Sequence, residues 1–415
     1  YNEGGGGAVI VQDSNEALTE VGASSSIDAL GIVVTMIDAV AGNWLQTEID
    51  NQESGVLAIV FNYSSHAGFF FAVDASGDLQ QVGWEKYPDL MMLGWAGEYL
   101  SYTAALDERL MRPSLVIPVM ADTVTKDSNT AEATVELAPF TPEQLALYST
   151  MELYFSLGCT GVRDEDCPTW DHCITVTVDC HNRSNHGLAE PGGGPTELWR
   201  GITSFKRRSG RWLTDITPFA PLIYEGGTCD FSVKTGGGTW VVSELKLRLL
   251  PSEEGRKGLP ISSTPLQWPQ HSDSEKFNSA AYNANRSLVL EIPPGTTRIK
   301  LAAIISGHGG CEFMPTSHHF RVNALEFNTS AIAYDRFMLA GSDLGCTLQV
   351  PFGSVPNEHG TWYYGRNGWC DGQDIAPLQW DVTEAVDDFG ESLRLSYSAL
   401  SYDVGGGNPS DAGCG

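Results

Sequence analysis

The chain has 415 residues, with 24 Lys plus Arg against 52 Asp plus Glu and a formal net charge of −28. So acidic a surface repels phosphate backbones and anionic lipid, which argues against nucleic-acid and membrane-surface binding. Only 18% of residues are charged while Gly numbers 45, a balance that suits a loop-rich β protein better than a helical bundle; 42% apolar residues exclude wholesale disorder.

The length calls for two or three domains. Gly4 to Gly7 followed by Ala8-Val9-Ile10-Val11 reads as an arm over residues 1–12 carrying a short strand. Added to the sheet of the next copy, head to tail, such a strand would build a filament. The opening at Tyr1, with no basic stretch before an apolar run, is expected of a mature chain whose leader is gone. Residues 28–45 carry competing strand and helix signals. Val56 to Phe61 and Gly68 to Val73 are buried-type strands, and Leu115 to Met120 and Ala131 to Leu137 add two more. Thr141-Pro142-Glu143-Gln144 has the N-cap, first-position Pro and returning Gln of a short helix, which would close an N-terminal β-rich domain over 13–148.

In residues 149–252, Ile174, Val176 and Val178 alternate with Thr175, Thr177 and Asp179, the period of a half-buried strand. Leu245, Leu247 and Leu249 alternate in the same way with Glu244, Lys246 and Arg248. The 206–211 segment is a basic hairpin tip. Residues 253–259 form a polar linker, and 260–405 repeat the β style with Ser287 to Ile292, Arg298 to Ile305, Phe320 to Phe327 and Leu393 to Tyr397 before a Gly-rich tail over 406–415. The expected fold is mostly β: two sandwiches in tandem after an N-terminal mixed, mainly β domain. No run is long and apolar enough for a transmembrane helix.

There are nine cysteines. Cys159 and Cys167, Cys173 and Cys180, and Cys346 and Cys370 bracket short segments, and no C-x-x-C spacing favours zinc, so disulfides are expected. Asn62, Asn182, Asn285 and Asn328 stand in Asn-x-Ser/Thr sequons. Together these features read as a secreted, disulfide-bonded glycoprotein with no membrane insertion. Cys414 is the candidate for the odd thiol.

Two carboxylates stand out. Asp171 lies in Cys167-Pro168-Thr169-Trp170-Asp171-His172-Cys173, and Glu312 in a Gly-rich loop leading to His318-His319. A carboxylate beside a Trp can activate water while a sugar stacks on the indole, and two of them can meet across a domain cleft. The plainer reading makes both into caps for loop amides.

These motifs, with Gly310-Cys311-Glu312-Phe313 and with Cys346 upstream of Gly365-Arg366-Asn367-Gly368-Trp369-Cys370-Asp371-Gly372, resemble the peptide:N-glycanase F family over about residues 150–405. The resemblance implies tandem jelly-roll sandwiches, hydrolysis of the glycosylated Asn side-chain amide and no metal or cofactor. It implies catalytic roles for Asp171 and Glu312, and contacts from Trp170, Arg366 and Trp369 to the glycan of an N-glycoprotein. Two departures accompany it. The family's third site carboxylate falls at Phe231, with Asp230 pointing to the opposite strand face. The family's disulfide beside the Glu loop falls at Gly310 and Met314, which leaves Cys229 as candidate partner for Cys311. His318, His319 and Met314 superficially resemble copper ligands, but without any His-x-His no copper site is expected. On these departures the favoured expectation is a non-catalytic assembly or glycan-binding subunit, with an active amidase as the alternative.

Overall fold

The computed structural model describes residues 89–402 apart from 126–128, 182–193, 209, 253–257, 267–279, 285, 310–311, 332–336, 358–360 and 387–391. Before residue 89 it describes four strands and residues 43, 46, 47, 50 and 51. The chain divides into two compact units, 1–94 and 95–415.

In the first unit, β1 (Ala8–Val11) pairs in parallel with β2 (Val34–Ile37) of the same chain, Ala8 opposite Val34 and Val11 opposite Ile37. One edge of the arm strand is thus paired within its own chain. β3 (Phe69–Val73) and β4 (Leu79–Trp84) form an antiparallel pair. The strand expected over Val56 to Phe61 lies outside the described residues.

A 22-residue helix, α1 (Asp89–Leu110), then leads into the second unit. It went unread in the sequence, although Trp95, Tyr99, Tyr102, Leu106 and Leu110 recur at helical spacing. The first sandwich is built from β5 (Leu115–Val124), β6 (Thr130–Leu137), β7 (Tyr148–Cys159), β8 (Cys173–Cys180), β9 (Thr196–Ile202), β10 (Gly210–Asp215), β11 (Gly227–Thr235) and β12 (Trp240–Pro251). One sheet runs β10-β7-β12-β5 and the other β6-β11-β8-β9, both antiparallel. β5 and β6, which lie before the boundary expected at residue 148, are hydrogen-bonded members of these sheets. The expected helix is present between them and the rest as α2 (Pro142–Leu145), its capping box closed by Thr141 and Gln144.

Alternation decides which faces meet. Along β8, Ile174, Val176 and Val178 are fully buried, and along β12 Leu245, Leu247 and Leu249 join them around Phe155, Trp199, Trp212 and Trp240. The other face of β12 is not left to solvent. Arg248 is 1% exposed because α1 covers it: its guanidinium pairs with Glu152 (2.6 Å) and donates to the carbonyls of Arg109, Leu110 and Arg112 at the helix end. Those carbonyls have no partner within the helix, so the buried cation satisfies them and the dipole together.

The second sandwich has β13 (Ser287–Glu291), β14 (Lys300–Ala303), β15 (Thr316–Val322), β16 (Leu325–Asn328), β17 (Leu378–Asp381) and β18 (Ser392–Ser401), paired as β13-β18-β15-β16 and β14-β17. Its core contains Phe320, Val322, Trp380, Leu395 and Tyr397. The single strand expected over Phe320 to Phe327 is a hairpin. Asn323 turns it at φ +50°, a conformation Asn tolerates better than most residues, and its side chain locks the turn onto Ala385 and Arg394.

Three disulfides are described: Cys159–Cys167, Cys180–Cys229 and Cys346–Cys370. The expected Cys173–Cys180 bridge does not form. These residues end one eight-residue strand, roughly 23 Å apart at strand rise and on opposite faces. Cys180 instead stands opposite Cys229 across β8 and β11. This also removes Cys229 as a partner for Cys311, which lies outside the described residues, as do Cys414, Asn62, Asn182 and Asn285. Cys173 is a free thiol. Asn328 is half-buried at the end of β16. Among the described residues no helix is long and apolar enough to cross a membrane.

Candidate active site between the sandwiches

The two sandwiches are joined by backbone. Ile202 N–H donates to Gln373 O (2.9 Å) and Ile375 N–H to Arg200 O (2.8 Å), so the segment after Cys370 runs beside β9 like an extra strand. The Trp212 indole N–H donates across the junction to Gly353 O and Gly372 O, and Thr214 Oγ1 to Asp374 Oδ2 (2.5 Å). Three loops converge here.

The first carries Trp170 and Asp171. Its base is tied by the Cys159–Cys167 disulfide. Thr203 then clamps its far end, Oγ1 donating to Trp170 O (3.1 Å) and accepting from His172 N–H (2.8 Å). Between these anchors Trp170 adopts φ +86°, a backbone state costly for a bulky residue and held only where the surroundings impose it. Its indole is 63% exposed, edge-on to Phe205.

The second loop carries Glu312 and the third Arg366, and they are knitted together. Asn367 N–H donates to Glu312 O (2.7 Å), Gly307 N–H donates to Asn367 O (2.9 Å), and Thr316 Oγ1 donates to Asn367 Oδ1 (2.6 Å). Gly368, at φ +81°, makes the turn, and a Cβ there would lie 2.4 Å from the Phe337 ring. The Cys346–Cys370 disulfide closes the third loop.

These constraints bring Asp171, Glu312 and Arg366 to one point. Arg366 Nη2 lies 3.7 Å from Asp171 Oδ2 and Nε lies 3.9 Å from Glu312 Oε1. The guanidinium packs on the Trp369 ring (4.9 Å to centroid) and near the Phe313 ring (5.2 Å), which suits a cation removed from water. Trp369 is 2% exposed and is tied by its indole N–H to Gly307 O (2.5 Å). Arg366 and Trp369 therefore form the floor of the site, and Trp170 its open rim.

A third carboxylate is present that sequence reasoning passed over. Asp371 Oδ2 lies 3.6 Å from the same Arg366 Nη2, and its side chain is 3% exposed. The signal was available, because an Asp directly after a bridged Cys in a Trp-Cys turn is pinned in place. The position where the family's third carboxylate was expected holds Phe231, buried in the first core. Asp230 beside it points outward to His181 Nε2 (2.6 Å) and Thr134 Oγ1 (2.6 Å).

One guanidinium cannot neutralise three carboxylates. Burial pushes Glu312 above the usual carboxylate range, partly offset by Arg366. Burial also drives Asp371 well above that range, against the pull of Arg366 and with the charge of Asp171 adding to the rise. His308 lies against Trp369 (4.9 Å between centroids) and bonds Ser306 Oγ through Nε2. Burial lowers it to about 4, helped by Arg200 and opposed by Asp171, so its imidazole is neutral near pH 7. His318 belongs to the core instead, with its ring nitrogens on Tyr397 OH and Thr316 Oγ1. Among the described residues no three His, Cys, Asp or Glu side chains are grouped to hold a metal.

Residues 276–408 match the family model for the C-terminal domain of peptide-N-glycosidase F. The fold is peptide:N-glycosidase F-like. Its mostly β double sandwich matches three solved structures, each with a TM-score of 0.50. A peptide-N(4)-(N-acetyl-β-D-glucosaminyl)asparagine amidase is 16% identical over 72% of this chain and 92% of that one. PNGase F from Flavobacterium meningosepticum, described as a glycosylasparaginase, is 17% identical with the same coverage. Recombinant peptide:N-glycanase F is 17% identical over 71% and 91%. At these identities the likeness establishes the fold. No curated protein matches the sequence.

Proposed function

We propose that this chain is an extracellular hydrolase of the glycosylated Asn side-chain amide in N-glycoproteins. The observation that supports this most is the meeting of Asp171 and Glu312, from different sandwiches, at Arg366. In this reading Asp171 takes a proton from water as its oxygen adds to the amide carbon. Arg366 holds both carboxylates in place and offsets their charge. Glu312, whose hold on its proton is strengthened by burial, gives that proton to the departing nitrogen. Water is consumed, the C–N bond breaks, and the products are an Asp side chain and a glycosylamine. The exposed Trp170 ring offers a sugar-stacking face. The disulfides favour an oxidising, extracellular compartment.

Phe231 supports a second reading, in which the site binds glycans without turnover, since an apolar core residue stands where the family's third carboxylate is expected. Incubation with a denatured N-glycopeptide separates these readings. Hydrolysis releases glycan and converts Asn to Asp, and Asp171→Asn slows both by about 10²–10⁴. Retention of the glycopeptide by wild type without release would leave binding alone.

A further inference from the structure

Asp371 takes part in none of these steps. It is one of the most deeply buried charged side chains among the described residues, and its Oδ1 has no hydrogen-bond partner. Its backbone carbonyl already accepts from Ser354 Oγ (3.1 Å), so the carboxyl is not needed for that loop contact. The groups that act on it are Arg366, Asp171 and Glu312. Arg366 spends its short hydrogen bonds elsewhere, Nη1 on Thr361 O (3.3 Å) and Nη2 on Thr361 Oγ1 (3.1 Å). The guanidinium therefore faces Asp171 and Asp371 at 3.7 and 3.6 Å without a short bond to either.

Two carboxylates that flank one guanidinium nitrogen at 3.7 and 3.6 Å, with that single cation shared among three acids, do not both ionise; a proton between them is the less costly state. We propose that Asp371 and Asp171 hold one proton between them, Asp371 donating it to Asp171, so that Asp371 is the positioning residue that aims the Asp171 carboxylate at substrate. The proton belongs on the deeper partner. The Asp371 side chain is 3% exposed against 21% for Asp171, and desolvation penalises charge most where burial is greatest. Burial and the neighbouring Asp171 raise the Asp371 carboxyl in the same sense. Asp171 is then left as the oriented proton acceptor, with Arg366 as its counter-ion. The inference rests on the amidase reading for its consequence, though not for its chemistry.

The full chain labelled with 13C at the Asp carboxyls supplies the first measurement. At neutral pH wild type should give one protonated Asp carboxyl signal, and Asp371→Asn should remove it. A spectrum with no such signal, or one that keeps it in the variant, overturns the proposal. If the variant does not fold, titration of labelled wild type decides alone, since every Asp titrating in the ordinary acidic range would equally overturn it.

Release of glycan from a glycopeptide supplies the second. Asp371→Asn, which keeps a donor towards Asp171, should hold kcat near the wild-type value and leave the alkaline limb, set by Glu312, in place. Asp371→Ala should lower kcat about 10- to 100-fold with KM little changed. An Asn variant as slow as the Ala variant means Asp371 is structural, and the proposal falls. If wild type releases no glycan but keeps the protonated Asp signal, the amidase reading fails while the shared proton stands.

Discussion

Asp171 and Arg366 form an ion pair, Oδ2 to Nη2 3.7 Å, that crosses from one sandwich to the other. Its geometry depends on the strand-like run of Gln373 to Ile375 beside β9, because side chains this short cannot reach across a junction that is free to move. The site is thus a property of the joined pair, and neither sandwich holds it alone.

Kinetics should separate the two acids. Asp171→Asn and Glu312→Gln are each expected to lower kcat by about 10²–10⁴, the usual worth of a positioned acid–base group. In the proposed mechanism Glu312 works protonated, and burial raises it, so wild-type turnover should fall as pH rises through its folded value. Single-turnover release of glycan across pH 5 to 9 reads both effects, and a flat alkaline side would remove Glu312 from the role of acid.

Stability should depend on pH in a definite direction. Burial raises Asp371 and Glu312 above their unfolded values. Their contribution is therefore fully present below the unfolded carboxyl range and is lost as pH rises through the folded values. Thermal melts of wild type and Asp371→Asn should diverge with rising pH, the variant gaining relative to wild type. A difference that shrinks towards alkaline pH would contradict this assignment.

The cation under α1 should be costly to remove. Arg248→Ala leaves Glu152 with only Arg109, at 3.0 Å and half-exposed, and removes the guanidinium donor from the carbonyls of Leu110 and Arg112, while Arg109 O keeps the Arg112 N–H. The expected loss is about 3–5 kcal/mol, measurable by urea unfolding with near-UV signals. A loss below about 1 kcal/mol would mean water substitutes for the guanidinium.

Cysteine connectivity can be read directly by non-reducing digestion and mass spectrometry. A peptide linking Cys180 to Cys229 and an alkylatable Cys173 are expected, whereas a Cys173–Cys180 link would contradict the register of β8 and β11. Reducing the Cys180–Cys229 bridge, which spans 49 residues, should cost about 4 kcal/mol by loop-closure entropy.

Alternation is a local property of strands, so the sequence by itself determined that Ile174, Val176 and Val178 face a core and that Leu245, Leu247 and Leu249 do likewise. The motifs around Asp171, Glu312 and Arg366 were legible in the same way, as residues held by cysteines and glycines in short loops. What covers the second face of a strand is decided by distant chain, and only the tertiary structure put Arg248 under α1 or opened Cys180 to Cys229 instead of Cys173. The same holds for Asp371. Its place in the Trp369-Cys370 turn was visible, but the charge it confronts comes from another sandwich, and a carboxyl's protonation follows from what surrounds it in space.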